Sequence, residues 1–134
     1  MVNLPVYWRR INNRYNLVGT RCKTCNTKFF PPRALCPNCR RKGEIAEFKF
    51  CGKGKIATFT EVHVAPEGHE MKVPYHIAII QLDEGPTVLA QLVNFKEPNM
   101  GDRVEVAFRR IREQSKEGII CYGYKFRPAR TKYA

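Results

Sequence analysis

Two pairs of cysteines in the first third of the chain carry the clearest chemical signal in the sequence. Each pair has two intervening residues, ten residues separate the pairs, and the four are Cys22, Cys25, Cys36 and Cys39. This spacing lets both sulfurs of a pair point toward one centre, and four thiolates suit a tetrahedral zinc ion. Four protein ligands leave no position for a reacting water, so we predict a structural zinc. A disulfide pair or an iron–sulfur centre is the alternative.

The residue that follows each pair bears on the shape of the two turns. Glycine often stands after the second cysteine of such a turn, because glycine accepts a positive φ. Asn26 and Arg40 occupy these places here. Asn tolerates a positive φ better than Arg does, so we expect the second turn to be less regular than the first.

The segment between the cysteine pairs is apolar and basic. It contains Lys28, Phe29, Phe30 and Arg33, with two prolines before the arginine. Successive strand residues point to opposite faces, so one phenylalanine can pack inward while the other faces outward. The prolines stiffen the backbone and lower the entropic cost of presenting Arg33. The loop either packs on the rest of the chain or contacts a partner protein or an anionic ligand.

Other reactive side chains form no recognisable constellation. Cys51 and Cys121 lie outside the paired spacing, and we expect both to be small, buried or half-buried residues. The three histidines, at positions 63, 69 and 76, do not cluster with cysteines, and we predict that none is a ligand. Ser115 is the only serine and has no histidine near it in sequence. The sequence therefore favours a protein that is not an enzyme.

Positive charge is concentrated in the first part of the chain. The formal net charge is +12, of which residues 1–53 carry +10 (twelve Lys/Arg, two Asp/Glu) and residues 54–134 carry +2. Such a surface predicts a polyanionic partner, with a solvated basic face as the alternative. We find neither an export signal nor an apolar run long enough to cross a membrane. We therefore expect a cytoplasmic protein, in which thiols stay reduced.

The N-terminal segment reads as one helix over residues 4–15. Asn3 can cap it, and Leu4, Trp8, Ile11 and Tyr15 follow helical spacing. This stripe either packs on its own domain through Trp8 or is offered to a partner chain, for which a single tryptophan is a plausible anchor.

The remaining elements predict a mainly β fold with three parts. The N-terminal helix (1–16) precedes a rubredoxin-like zinc ribbon (17–53), and a five-stranded OB-fold barrel (54–134) follows. Five branched and aromatic segments separated by turn signals provide the barrel strands. They are too few for two sheets, and closure into a barrel removes the exposed edges. The glycine-rich segment CGKGK, at the border of ribbon and barrel, reads as a hinge.

Taken together, these features resemble a known family. A helix with an aromatic anchor, the segment RCKTCNTKFFPPRALCPNC and an OB barrel with GDRVEV before its fourth strand are similar to the acyl-CoA-associated zinc-ribbon/OB-fold proteins, long catalogued as a domain of unknown function. The resemblance covers nearly the whole chain, and FFPPR is its most specific part. It is nearest to the archaeal members that join acetoacetyl-CoA thiolase to hydroxymethylglutaryl-CoA synthase in the mevalonate pathway.

The resemblance implies a non-catalytic subunit of a hetero-oligomer. Such a subunit bridges the two enzymes and helps form a shared coenzyme A site, so that the acyl intermediate passes on without free release. The implied metal ligands are Cys22, Cys25, Cys36 and Cys39. The implied ligand or partner contacts are Lys28, Phe29, Phe30, Arg33 and Trp8.

An RNA- or single-strand-DNA-binding protein is the competing interpretation. Zinc ribbons, OB barrels and basic charge often occur together in such proteins, and Tyr122, Tyr124 and Phe126 could share a barrel face on which bases stack. The near charge balance of residues 54–134 argues against nucleic acid.

Overall fold

A helical N-terminus, a three-stranded sheet and a closed five-stranded barrel follow one another along the chain. The computed structural model describes residues 3–67 and 69–130. The parts of the predicted domains 1–16 and 54–134 that fall on residues 1–2, 68 and 131–134 lie outside the described residues. The predicted fold class, a mainly β chain with a zinc ribbon before an OB-fold barrel, is confirmed.

The N-terminal segment forms two short helices where one was predicted. They are α1 (Leu4–Arg9) and α2 (Ile11–Asn16), and Arg10 between them leaves the helical conformation, with φ −107° and ψ 18°. The predicted cap is confirmed, because Oδ1 of Asn3 accepts a hydrogen bond from the backbone N–H of Val6.

The break at Arg10 allows both helices to contact the barrel. Tyr7 and Tyr15 would lie about 80° apart around one straight helix, since each residue advances the helix by about 100°. In the structure the hydroxyl of Tyr7 donates a hydrogen bond to the carbonyl of Tyr122, and the ring of Tyr15 packs edge-on against Phe108. No helix within the described residues has the length and apolarity needed to span a membrane.

The first sheet is the zinc ribbon, with strands in the order β2, β1, β3 and antiparallel pairing throughout. The strands are β1 (Val18–Cys22), β2 (Lys28–Phe29) and β3 (Ile45–Lys49). The first two strands form a hairpin around the first cysteine pair, and β3 pairs with the other edge of β1. Gly19 allows the sheet to form, because a Cβ there would lie 2.2 Å from the carbonyl oxygen of Phe29 and 2.6 Å from the ring of Phe50.

The barrel closes in the strand order β4, β5, β6, β8, β7 and back to β4. Its strands are β4 (Lys53–Val62), β5 (Tyr75–Leu82), β6 (Thr87–Leu92), β7 (Arg103–Glu113) and β8 (Ile120–Pro128). Alternate residues of each strand fill the interior, among them Ile56, Ile80, Leu82, Val104 and Phe126, each at most 2% exposed.

The seam between β6 and β8 is the shortest of the barrel, with one paired position where the seam between β4 and β7 has three. β5 pairs with both of its neighbours along most of its length, but β6 and β8 run parallel and pair only at Leu92 and Phe126. The N–H of Val93 donates to the carbonyl of Phe126 at 2.8 Å and completes this contact. On the N-terminal side of it the two strands diverge, and a cleft opens between them.

A row of aromatic rings connects the ribbon to the barrel core. Phe48, Phe50, Phe30, Tyr124 and Phe126 meet edge to face in that order, with centroid distances of 5.1, 6.0, 5.6 and 6.3 Å. Edge-to-face contacts of this kind add to the stabilisation that burial alone gives. The ribbon is thereby fixed on the mouth of the barrel.

The segment CGKGK is packed rather than hinge-like. β4 begins within it at Lys53, and the carbonyl of Gly52 accepts a 2.7 Å hydrogen bond from the N–H of Val106. Gly52 has φ +75°, and an added Cβ would lie 2.4 Å from the side chain of Val106. Its glycines allow close approach of neighbouring strands, so the predicted hinge is not observed.

We expect Phe30→Ala to lower the free energy of unfolding by roughly 2–4 kcal/mol, because the ring bridges ribbon and barrel and its removal leaves a cavity. Phe59→Ala, on an exposed part of β4, is the matched control and should cost less than about 1 kcal/mol. Urea unfolding of the metal-loaded protein measures both. Equal losses for the two variants would show that the aromatic row does not hold the ribbon.

Candidate metal centre and ribbon loop

The sulfurs of the four paired cysteines converge on one point of the ribbon. Their Sγ atoms all lie within 4.8 Å of one another, and the group consists of Cys22, Cys25, Cys36 and Cys39. Two of the Sγ–Sγ distances, 3.5 Å for Cys25 and Cys36 and 3.9 Å for Cys22 and Cys39, are far longer than a disulfide bond. A tetrahedral ion with metal–sulfur bonds of about 2.3 Å would separate its ligands by about 3.8 Å. The four cysteines are thus positioned to bind a metal ion.

Two tight turns place the cysteine pairs. In the first turn, which follows β1, the N–H of Cys22 donates to the carbonyl of Thr27 at 2.9 Å; in the second, the N–H of Arg40 donates to the carbonyl of Cys36 at 2.8 Å. Asn26 and Arg40 both have a positive φ, 59° and 52°. The sequence therefore identified the two special backbone positions, and the two turns close with different hydrogen bonds. Arg40 adopts its conformation despite the steric cost to a residue with a long side chain.

Hydrogen bonds within the cluster shift the pKa values of its thiols in opposite directions. N–H groups of Cys25 and Thr24 lower the pKa of Cys22, and the hydroxyl of Thr27, 3.2 Å from Sγ of Cys25, lowers the pKa of Cys25 to about 6. The neighbouring sulfur of Cys25 and burial together raise the pKa of Cys39 to about 12. The thiol of Cys25 therefore loses its proton far more readily than the thiol of Cys39.

Gly43 packs against the cluster, a role that no pattern in the sequence indicated. An added Cβ would lie 2.9 Å from Cβ of Cys39, 3.1 Å from Cβ of Cys36 and 3.3 Å from Sγ of Cys22. The chain can pass this close to three of the four cysteines only because Gly43 has no side chain.

The loop between the pairs is held from both sides. The N–H of Arg33 donates to the hydroxyl of Thr20, a mostly buried residue of β1, at 3.0 Å. Phe30 packs inward on Phe50 and Tyr124, which agrees with the expectation that one phenylalanine faces in. Phe29 is half-buried, and the guanidinium of Arg33 lies over its ring at 5.3 Å. The loop backbone is fixed, and the side chain of Arg33 is exposed.

Lys28 and Trp8 present different chemistry at the surface. The ammonium of Lys28 lies over the ring of Phe48 at 5.0 Å, and Trp8 on α1 is 73% exposed. Trp8 therefore does not pack α1 on its own domain, which Tyr7 does instead through Tyr122. The contact roles predicted for Trp8, Lys28, Phe29, Phe30 and Arg33 stay predictions.

The two remaining cysteines differ in burial. Cys121 is 3% exposed, as predicted, whereas Cys51 is exposed and departs from the prediction. The backbone N–H of Cys51 donates to a carboxylate oxygen of Glu84 at 2.8 Å. Burial, followed by a hydrogen bond to Glu84, raises the pKa of the Cys51 thiol, so this thiol is poorly suited to act as a nucleophile.

We expect Gly43→Ala to weaken metal binding at least tenfold, because the new methyl group must displace the Cβ atoms of Cys36 and Cys39 and with them their sulfurs. Titration of the reduced chain with Co²⁺, followed by the absorbance of cobalt thiolate, measures the affinity. Lys42→Ala, an exposed neighbour, is the matched control and should leave the affinity unchanged. Normal affinity in Gly43→Ala would contradict the close packing.

Metal retention should depend steeply on pH. The metal binds thiolates, and it must displace whatever thiol protons remain, that of Cys39 above all, so affinity falls as pH falls. We expect full retention near about pH 8 and progressive release below about pH 6. A chromophoric zinc chelator measures the released metal. Retention that does not change over this range would rule out ligation by four thiolates.

The chain is similar to known proteins along most of its length. Two family models match it, described as the ChsH2 rubredoxin-like zinc ribbon domain, at residues 13–44, and the ChsH2 C-terminal OB-fold domain, at residues 49–109. The chain is 51% identical over 123 residues to a DUF35 domain-containing scaffold protein of Methanocaldococcus jannaschii, which covers 90% of this chain and 87% of the relative.

A second relative and a solved structure agree with these matches. A protein with the same description from Pyrococcus furiosus is 46% identical and covers 91% of this chain and 90% of the relative. The solved structure described as Ltp2-ChsH2(DUF35) aldolase matches with a TM-score of 0.69 and 25% identity, over 94% of this chain and 93% of that one. The chain therefore belongs to the ChsH2/DUF35 family, whose members join a zinc ribbon to an OB-fold domain.

Proposed function

We propose that the chain is a non-catalytic scaffold subunit that bridges acetoacetyl-CoA thiolase and hydroxymethylglutaryl-CoA synthase and helps form a coenzyme A site shared by the two enzymes. In this role it would allow an acyl intermediate of the mevalonate pathway to pass between active sites without free release. The description of its relatives as scaffold proteins supports the general role. The resemblance in the cysteine and FFPPR segments supports the specific enzymes.

The proposal rests chiefly on an exposed apolar surface of α1, a helix that is fixed to the barrel. Trp8 is 73% exposed and Leu4, one helical turn before it, is 43% exposed, while Tyr7 fastens α1 to the barrel. An exposed tryptophan on an anchored helix is the kind of residue that contributes most to binding at protein interfaces. Because the helix is already fixed, little conformational entropy is lost on docking.

The ribbon loop offers the second contact surface. Lys28 and Arg33 lie over aromatic rings and form no ion pair with any described residue. Coenzyme A carries a pyrophosphate and a 3′-phosphate, which such cations bind through charge-assisted hydrogen bonds. Their fixed backbone supports a contribution to a phosphate site that partner enzymes complete.

The metal in this proposal is structural zinc. Four thiolates within 4.8 Å of one another fill a tetrahedral coordination shell and leave no ligand position for chemistry. A ribbon of this size is too small to be stable through its own core, so the metal would fix the two turns that begin and end the loop. The only serine, Ser115, lies in the exposed turn between β7 and β8, away from the cluster.

The nucleic-acid alternative loses its principal support. The aromatic residues that could have formed a stacking platform serve other contacts: Phe126 is fully buried, Tyr124 packs on Phe30, and Tyr122 stacks on Phe108 at 5.3 Å. Bases stack on exposed aromatic faces. Of the three positions only Tyr122, 36% exposed, remains open to a base, so the predicted platform is reduced to one ring beside Phe108.

The proposal is tested by recovery of partners. Affinity-tagged chain purified from its native cell should bring down two larger proteins that mass spectrometry identifies as a thiolase and a synthase. Recovery chiefly of nucleic acid, with affinity that falls steeply as salt rises, would favour the alternative instead.

Arg33→Glu should weaken complex assembly or coenzyme A retention about tenfold or more, because it places a carboxylate where an anion or acidic partner surface is expected. Its zinc content should stay at the wild-type value. Lys116→Glu, with the same charge reversal in the turn between β7 and β8, is the control and should assemble normally. Unchanged assembly and retention in Arg33→Glu would refute the role of the loop.

A further inference from the structure

A large concavity lies at the short seam of the barrel. It has a volume of about 900 Å³ and lies between the diverging strands β6 and β8, with α1, α2 and the loop at Phe30 and Pro31 forming its rim. A cleft of this volume matches the usual size of small-molecule sites. It is separate from the cysteine cluster, none of whose residues lines it.

The charges that line the cleft are all of one sign. Among the described residues its wall includes no aspartate or glutamate, but it includes four basic residues: Arg10, Arg14, Arg112 and Lys125. None of these four forms an ion pair with a described residue, whereas other arginines and lysines of the chain do. Four unneutralised cations that converge on one concavity create a positive potential inside it.

Among these cations, Lys125 gives the strongest indication that the cleft binds an anion. Its side chain comes from β8, the residue is 6% exposed, and it has neither a hydrogen bond nor an ion pair with any described residue. Burial, followed by the nearby charges of Lys72 and Arg109, lowers its pKa. An ammonium on a residue this buried is poorly hydrated and has no partner among the described residues, so a bound anion would offset the lost hydration. Nδ1 of His69, on the same lining, is also enclosed without a partner among the described residues.

The remaining lining is largely apolar. Phe30 and Tyr124 form the wall near the ribbon, and Ile77 and Leu89 form the wall on β5 and β6. Leu89 is 65% exposed, and Ile79, which lies opposite it on β5, is 41% exposed, so apolar surface is open to solvent beside the cleft. The cleft therefore places apolar surface beside a buried positive charge.

We propose that this cleft binds an amphipathic anion, with one negatively charged group against Lys125 and an apolar portion against Phe30, Ile77 and Leu89. The inference goes beyond the scaffold function, because the site is formed by this chain alone and requires no partner enzyme. Its ligand class follows from the acid-free basic lining and the apolar walls together.

A pair of dyes separates charge from apolar contact. 1-Anilinonaphthalene-8-sulfonate and N-phenyl-1-naphthylamine share one fluorophore, and only the first carries a negative charge. The isolated zinc-loaded chain should bind the sulfonate about tenfold or more tightly than the neutral dye, as expected for one charge-assisted contact in a buried site. Equal affinity for both dyes would overturn the proposal.

Variants assign the charge effect to the cleft. Lys125→Met should reduce sulfonate affinity about tenfold or more and leave neutral-dye affinity within about twofold, since Met keeps the apolar length of the side chain. Arg14→Gln, on the exposed surface of α2, should weaken sulfonate binding and cost only the small contact with the Tyr7 ring, so the variant should fold and tests the cleft even if Lys125→Met fails to fold. Lys116→Met is the control. Sulfonate affinity that is unchanged in Arg14→Gln and in any folded Lys125→Met would overturn the assignment.

Competition defines the ligand class. Decanoate should displace the sulfonate dye, whereas decanol and inorganic phosphate at the same ionic strength should displace it at least about tenfold less well. Displacement by phosphate as strong as by decanoate would reveal a plain anion site, and equal displacement by decanol a plain apolar site; either result contradicts the proposal. Because no enzyme partner is present, these outcomes are independent of whether the scaffold function holds.

Discussion

The ring of Phe30 is the contact on which the arrangement of the ribbon depends. It sits between Phe50 of the ribbon and Tyr124 of the barrel, in a row of edge-to-face contacts that ends in the barrel core at Phe126. A ribbon of this size has little core of its own, so it is stabilised by packing against the barrel core through this row. The cysteine cluster fixes the turns at the ends of the loop, and Phe30 fixes the loop itself. The positions of Arg33 and of the cleft rim both follow from these two constraints.

Aromatic rings also take the place of carboxylates beside several cations. Arg14 lies over Tyr7, Arg33 over Phe29, and Arg21 and Lys28 both lie over Phe48. Such a contact contributes only about 0.5–1 kcal/mol at an exposed site, and it leaves the positive charge unneutralised. The side chains are therefore ordered while their charge remains available to an incoming anion. A carboxylate partner would give similar order but would cancel the field.

Local signals in the sequence predicted the clustering of the four cysteines and the strands of the barrel, because cysteine spacing and strand alternation are properties of neighbouring residues. Asn26 and Arg40 were likewise identified as special backbone positions, and both have a positive φ.

Features set by distant contacts were not predicted. The break at Arg10 follows from Tyr7 and Tyr15 both contacting the barrel. β3 forms because β1 provides a partner, and Gly43 matters only because three cysteines surround it in space. The seam depends on how far β6 and β8 diverge, which no single segment records.

The single pairing between Leu92 and Phe126 has a consequence for how such a protein can diversify. Along most of the seam, β6 and β8 are not hydrogen-bonded to each other, and side chains from both strands face the cleft there. Exchanging those side chains alters the width and polarity of the opening without breaking a ladder or touching the interior. The hydrogen-bonded part of the barrel can thus stay constant, while substitutions along the open seam between β6 and β8 fit the cleft to molecules of different length and charge.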